Sequence, residues 1–173
     1  DLTAWSDPQQ VDNATTELAP QLLDRGDSLG VIWVNESGEL MASSSTEPGV
    51  SNVEWTTPIQ MRSLSPSGTT DITSTTAVSY TWLGRTAILA VNHDGVIEVY
   101  AGIGEGSSLQ KISTFNAPAG VAAITSAPVL TSTETSLVLS FTDSDGSVSL
   151  ARLNLLNDNG VPLPGVAIDS NGS

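Results

Sequence analysis

Three segments of the chain share one pattern of apolar and polar positions. Each has four mostly apolar residues, then Asn or Asp, any residue, Ser or Asp, and Gly; the segments are 31–38, 88–95 and 139–146. Alternation on both sides of a glycine-containing turn is typical of a β-hairpin. Glycine adopts the positive φ that such a turn requires, and Asn or Asp bonds back onto the turn backbone. The pattern therefore predicts three equivalent hairpins.

The repeat extends beyond the hairpins on both sides. When the three segments are aligned, two positions after the turns are apolar in every copy, and we call each set a column. The first column is Leu40, Ile97 and Val148, and the second is Ala42, Val99 and Leu150. Short strands are predicted before the hairpins, at 20–23, 78–82 and 128–130. Outer strands are predicted after them, at 55–60, 109–113 and 161–168. Each unit thus contains four antiparallel strands.

The spacing of the three segments and the four strands in each unit are typical of β-propeller blades. We predict an all-β fold in which residues 1–173 form a single repeat domain, and a β-sandwich is the alternative. The predicted blades are 15–62, 63–116 and 117–173. Residues 1–14 are predicted to be the outer strand of a preceding blade, because the segment at 5–10 is similar to the outer strand at 55–60.

The charge of the chain excludes several classes of partner. Its net charge is −14, and its few cations, which include the only lysine, Lys111, are scattered. Phosphate backbones and anionic membrane surfaces need clustered cations, so we expect neither nucleic acid nor a membrane surface as a partner. No apolar run approaches the roughly 18 residues of a membrane helix, so membrane insertion is not expected. The absence of cysteine excludes disulfides and thiolate chemistry.

The composition favours an extracellular location. Only 14% of the residues are charged, so solubility depends largely on Ser, Thr, Asn and Gly. Three sequons are candidate N-glycan acceptors in a secreted chain: Asn13, Asn35 and Asn171. Asn35 falls at a predicted hairpin tip, where a glycan would be tolerated.

The blade pattern resembles the blades of secreted lectin-type propellers. An apolar strand, an Asp-Gly hairpin and a late Trp-Thr-x-Pro strand (Trp55 to Pro58) are similar to blades of the fungal fucose-binding lectins and their sialidase-like relatives. The turn Asp143-Ser144-Asp145-Gly146-Ser147 resembles the Asp box of sialidase blades, which is structural in that family. The resemblance implies a propeller and a sugar site between blades, held by arginine, glutamate and an aromatic ring.

The sequence offers little for catalysis or metal binding. His93 is the only histidine, and its place in a hairpin turn favours a turn residue over a member of a catalytic triad. A calcium loop around Asp143 and Asp145 would need later oxygen ligands, but the chain continues there into a predicted strand. We therefore expect no metal and no cofactor.

The best candidates for contact with a sugar are aromatic and polar residues of the second blade. Tyr80 and Trp82 share a strand that is followed by Arg85, and Glu98 is the one acid that lies on a predicted strand between apolar residues. Aromatic rings provide a stacking surface, whereas Arg and Glu hydrogen-bond to hydroxyl groups. Core packing of the rings and a solvent-facing Glu98 are the alternative interpretations.

These features favour a secreted, lectin-like domain that binds a glycan or glycoprotein without catalysis. The alternative is a self-assembling coat or filament subunit without a small ligand, and a glycoside hydrolase fragment is a weaker one. Three blades do not close a ring of four to eight, so we expect two apolar end faces. Such faces predict self-association, either as a dimer that completes a ring or as a filament.

Overall fold

In the computed structural model of the chain, the described residues are 10–11, 14–24, 28–45, 54–83, 86–93, 95–103, 108–116, 124, 127–133, 135–142 and 144–156. These residues form thirteen strands in three sheets and no helix. The predicted all-β class is therefore confirmed. Within this part of the chain the sheets do not close into a barrel or a propeller ring.

Sheet one is the first predicted unit. It is an antiparallel meander of four strands: β1 (Gln21–Asp24), β2 (Leu29–Val34), β3 (Leu40–Ser45) and β4 (Ile59–Gln60). The predicted outer strand at 55–60 is formed only in part, because Trp55 makes an isolated bridge to Ser45 before the strand resumes at Ile59. Pro58, which has no N–H to donate, lies between the two pieces.

Sheet two has six strands where four were predicted. The predicted four are β7 (Ala77–Leu83), β8 (Thr86–His93), β9 (Val96–Ile103) and β10 (Ser108–Asn116). The unpredicted two are β5 (Arg62–Ser65) and β6 (Gly68–Asp71). These two strands are polar and largely exposed. Their sequences therefore lack the apolar alternation from which the other strands were predicted. After β4, at the outer edge of sheet one, the chain crosses to the outer side of sheet two. There β5 pairs in parallel with β10.

Sheet three is the described part of the third unit. Its antiparallel strands are β11 (Val129–Ser132), β12 (Ser136–Thr142) and β13 (Val148–Asn154). The outer strand predicted at 161–168 lies outside the described residues. Of the strand predicted at 5–10, only Gln10 is described.

The three hairpin turns have the predicted chemistry. Gly38, Gly95 and Gly146 have φ values of 74°, 91° and 85°, a region that favours glycine over residues with a Cβ. Asn35 Oδ1 accepts hydrogen bonds from the backbone N–H of Ser37 and Glu39, and Asn92 Oδ1 accepts one from Gly95 at 2.8 Å. The side chains of these turns thus fix the backbone that reverses the strands.

The second hairpin differs from the first by one residue. Val34 pairs with Leu40 in sheet one, but the residue that pairs with Ile97 in sheet two is Asn92, not Val91. The cause is the loop length: the pairing in sheet two ends at His93 and Val96, which leaves two residues between them, whereas in sheet one the Asn35 N–H donates to the Glu39 carbonyl, which leaves three. A shift of one residue turns every side chain of a strand to the opposite face of the sheet. Equivalent apolar side chains of β2 and β8 therefore lie on opposite faces of their sheets.

Strand β8 is buried on both faces, and a core lies on each side of it. Ile88 and Ala90 pack toward sheet three, in a core that includes Phe141. Leu89 and Val91 pack toward sheet one, in a core that also contains the buried residues Ile32, Val34 and Leu40. Sheet two therefore lies between the other two sheets, and its face toward sheet one carries the candidate site.

We predict that replacing Leu89 with Ala lowers the free energy of unfolding by about 2–5 kcal/mol, because the side chain is fully buried between two sheets. Urea unfolding followed by tryptophan fluorescence measures the loss. The matched control is Leu22→Ala on exposed sheet one surface, with an expected change within about 0.5 kcal/mol. Equal losses in the two variants would contradict the described burial of β8.

Candidate functional site

The predicted aromatic pair lies on one face of β7. The ring centroids of Tyr80 and Trp82 are 6.5 Å apart with an interplanar angle of 86°, an edge-to-face arrangement. Both side chains are half-buried and pack against the core between sheets one and two. The Tyr80 hydroxyl donates to the carbonyl oxygen of Leu22 at 2.5 Å. The pair therefore contributes to packing between sheets, with part of its surface still accessible.

The structure does not bring the four predicted sugar-contact residues together. Glu98 shares the sheet two face of the aromatic pair, but β9 is two strands away from β7. Two strand spacings amount to about 10 Å, so Glu98 and Tyr80 belong to separate parts of this face. Arg85 lies outside the described residues.

Glu98 instead has three polar neighbours from three strands. Lys111 Nζ lies 2.8 Å from Oε1, the Tyr100 hydroxyl donates to Oε2, and His93 Nε2 lies 3.4 Å from Oε2. This last contact is close but is not a hydrogen bond. We call these four residues, His93, Glu98, Tyr100 and Lys111, the Glu98 cluster.

Strand register explains how the Glu98 cluster forms. Alternation along β9 places Glu98 and Tyr100 on the same face, and β10 places Lys111 directly opposite Tyr100. A β-bulge follows immediately, between Lys111 and Ser113. His93 ends β8, and its Nδ1 lies 3.0 Å from the carbonyl oxygen of Thr73. These contacts hold the imidazole beside the carboxylate.

The cluster shifts the acidity of two of its members. Burial alone would raise the pKa of Glu98, but hydrogen bonds from Lys111 and Tyr100 and the charges of Lys111 and His93 outweigh it. The pKa of Glu98 is therefore below its usual value. Burial raises the pKa of Tyr100, and its hydrogen bond to the Glu98 carboxylate raises it further. The cluster thus holds an ionised carboxylate beside a protonated phenol.

This arrangement is suited to recognition of polar groups. Lys111 is the most exposed member, and an ammonium has three donor positions, of which Glu98 occupies one. A carboxylate and an ammonium side by side form a typical acceptor and donor pair for neighbouring hydroxyl groups. The carboxylate is oriented before any ligand arrives, which reduces the entropy cost of binding.

Sequence reasoning identified Glu98 but missed its partners. Alternation along the strand was sufficient to place Tyr100 on the same face. Lys111 and His93 were the only lysine and the only histidine, but their convergence depends on the pairing of β8, β9 and β10. That pairing includes a bulge, which has no distinctive residue pattern, and a short Asp-Gly turn, which predicts the hairpin but not which strands lie beside it.

A cleft lies between sheets two and three, away from the Glu98 cluster. Its volume is about 90 Å³, and its lining is predominantly apolar and includes Phe115, Leu139 and Leu153. Phe115 and Phe141 form a tilted ring pair there, with centroids 5.1 Å apart. An apolar lining offers few hydrogen-bond partners to a sugar, so the Glu98 cluster is the better candidate for a polar ligand.

The other features at issue in the sequence are a metal loop, a membrane-spanning helix and the glycan acceptors. Among the described residues, no group of three or more His, Asp or Glu side chains is placed to hold a metal ion, and no helix is long and apolar enough to cross a membrane. Asp143 lies outside these residues, and Asp145 Oδ1 accepts a hydrogen bond from the Ser147 N–H. The Asn35 amide donates to Glu39 Oε2 at 2.6 Å. The sequon residues Asn13 and Asn171 are not described.

Comparison of the chain with protein-family models gave no match, and comparison with curated proteins found no significantly similar sequence. The functional argument therefore depends on geometry.

We predict that Glu98→Gln lowers the free energy of unfolding at pH 7 by about 0.5–1 kcal/mol, the scale of partly exposed ion pairs. Because folding lowers the pKa of Glu98, its contribution is fully present above the unfolded value of 4.5 and is lost as pH falls through the folded value. Urea unfolding at pH 7 and pH 3 measures the difference from wild type, which should shrink in acid.

The exposed Glu17→Gln is the matched control, since it removes one negative charge from an acidic chain without disturbing the cluster. A Glu98→Gln difference that is absent at pH 7, or that grows on acidification, would show that the cluster does not stabilise the fold.

Proposed function

We propose that the chain is a non-catalytic, lectin-like domain that binds a carbohydrate, free or on a glycoprotein, at the Glu98 cluster. The observation that carries this proposal is the shared carboxylate: Lys111, Tyr100 and His93, from three strands, converge on Glu98. Neutral sugars offer arrays of hydroxyl groups, each both a donor and an acceptor. A fixed carboxylate beside a partly exposed ammonium complements such an array.

The aromatic residues of the same face support this choice of ligand. Tyr80 and Trp82 retain accessible surface, although both pack against the core. Tyr80 and Trp82 lie two strand spacings from Glu98, which is more than a single sugar ring spans. They would therefore contact only a larger ligand, such as an oligosaccharide. Arg85, the remaining residue that was predicted to contact the sugar, lies outside the described residues.

The chemistry of Glu98 argues against the glycosidase alternative. A general acid needs a raised pKa so that it holds a proton near neutral pH, but the pKa of Glu98 is lowered. Both of its oxygens already have positively charged or hydrogen-bonding neighbours, which weakens the carboxylate as a nucleophile. Ligand binding requires neither property.

We also propose that the three sheets are consecutive blades of a β-propeller-like stack. The first strands of the three predicted units, β1, β7 and β11, lie next to each other: the Tyr80 hydroxyl of β7 bonds to Leu22 of β1, and the Ser132 hydroxyl of β11 donates to the Trp82 carbonyl at 2.6 Å. Neighbouring inner strands with apolar cores between consecutive sheets support this assignment. An extracellular location, with Asn35 as a glycan acceptor, is part of the same proposal.

A self-assembling structural subunit is the second candidate function. The observation in its favour is the outer face of sheet three, where Val129, Val148 and Leu150 are exposed. Solvent-exposed apolar side chains that share one sheet face favour association with another protein surface. The two functions are compatible, because this face and the Glu98 cluster belong to different sheets.

We predict that Lys111→Met weakens binding of the best neutral glycan by about 10-fold or more, since hydrogen bonds to a charged group contribute about 1.5–3 kcal/mol. A glycan array with wild-type protein selects the ligand, and isothermal titration calorimetry measures the affinities. Methionine retains the length of the side chain and removes only its charge and donors.

Arg62→Met is the matched control, because Arg62 is an exposed cation of the same sheet that pairs with Asp71 at 2.8 Å. Its affinity should equal that of wild type. Failure of wild-type protein to bind any glycan would overturn the proposal, and equal losses in the two variants would indicate a general charge effect instead of a site.

A further inference from the structure

The outer face of sheet three is exposed to solvent, whereas the equivalent faces of sheets one and two are covered by the next sheet. Leu40 and Ile97 follow their turn glycines by two residues and are each 0% exposed, whereas the equivalent Val148 is 74% exposed. Two positions further on, Val99 is 5% exposed and the equivalent Leu150 is 73% exposed. The same apolar column thus faces the next sheet in units one and two and faces solvent in unit three.

The cross-strand neighbours of this column form one continuous surface. Ser140 pairs with both Val129 and Leu150, and Val138 pairs with Arg152. We call this surface the open face; its described residues are Val129, Thr131, Val138, Ser140, Thr142, Val148, Leu150, Arg152 and Asn154. None of them is acidic, although the chain carries a net charge of −14. Two copies of the chain can therefore meet at the open face without bringing carboxylates of that face together.

The two end faces of the stack differ in exposure. Strand alternation places Leu22, Trp33, Ser43 and Ser45 on the face of sheet one that points away from sheet two; Leu22 is 59% exposed, whereas the other three are 3%, 4% and 1% exposed. The larger exposed apolar surface of the described residues is therefore the open face, where Val129, Val148 and Leu150 are 65%, 74% and 73% exposed. A filament or a ring of three-sheet units needs two different faces to meet, whereas a two-fold dimer needs only one.

We propose that the open face docks against the same face of a second copy of this chain, which gives a two-fold dimer. The apolar side chains Val129, Val148 and Leu150 lose water in the contact, and the Arg152 guanidinium, bonded to Ser136, remains at its margin. The dimer closes after two copies, because a contact of the open face with itself uses that face of both chains.

The size of the open face sets the strength of the dimer. Strands of four, seven and seven residues cover roughly 300 Å² per copy, or about 600 Å² in all, which is below the roughly 1,200 Å² of standard stable complexes. The association is therefore weak and depends on concentration in the micromolar to millimolar range. Higher salt strengthens it, since it screens the repulsion between two acidic chains.

Sedimentation equilibrium of the 173-residue chain from about 10 μM to about 1 mM tests the proposal, and we expect the mean mass to rise from one chain toward two. Leu150→Glu places two carboxylates in the contact and should keep the mass at one chain throughout. The control Leu64→Glu changes an exposed leucine of β5 and should dimerise like wild type.

Circular dichroism melts show whether each variant is folded, and Val148→Lys serves as the second variant if Leu150→Glu is not. A wild-type mass of one chain at every concentration would overturn the proposal, as would dimerisation of Leu150→Glu equal to that of wild type. Growth beyond two chains would contradict the two-fold arrangement. None of these outcomes depends on sugar binding, so the lectin-like function is tested separately.

Discussion

The burial of β8 on both faces is the constraint on which the rest of the structure depends. Seven consecutive residues of this strand, from Thr86 to Asn92, are buried, and Ala87 to Val91 alternate between two cores. A strand without a solvent face needs a sheet on each side, so sheets one and three are required for sheet two to be stable. The three sheets thus stabilise one another, because sheet two alone cannot bury both of its apolar faces.

The same constraint positions the candidate site. Sheet two is fixed by both cores, and its strands β8, β9 and β10 bring His93, Glu98 and Lys111 together. A polar cluster on a rigid sheet is better ordered than one on a loop, which reduces the entropy lost on binding. The cluster lies on the side of sheet two that faces sheet one, at the margin of the core that contains Tyr100.

Much of the architecture was predictable because it depends on local patterns. The Asn/Asp and Gly residues of the turns, and the apolar columns at Leu40 and Ile97, predicted the hairpins. The strands β5 and β6 were not predictable, because polar, exposed strands held only by edge pairing have no apolar alternation. The apolar columns that contain Val148 and Leu150 also predicted an apolar end face. The Glu98 cluster depends on which strands become neighbours, and local residue patterns do not specify this.

Amide hydrogen exchange measured by NMR tests the central role of β8 most directly. The account predicts that the amides of Ile88 to Val91 exchange most slowly and only through global unfolding, because both cores must open to expose them. The amides at the edges of the stack, in β6 and β13, should exchange through smaller openings. Exchange of β8 as fast as that of β6 would contradict the account, because sheet two would then not be held between two cores.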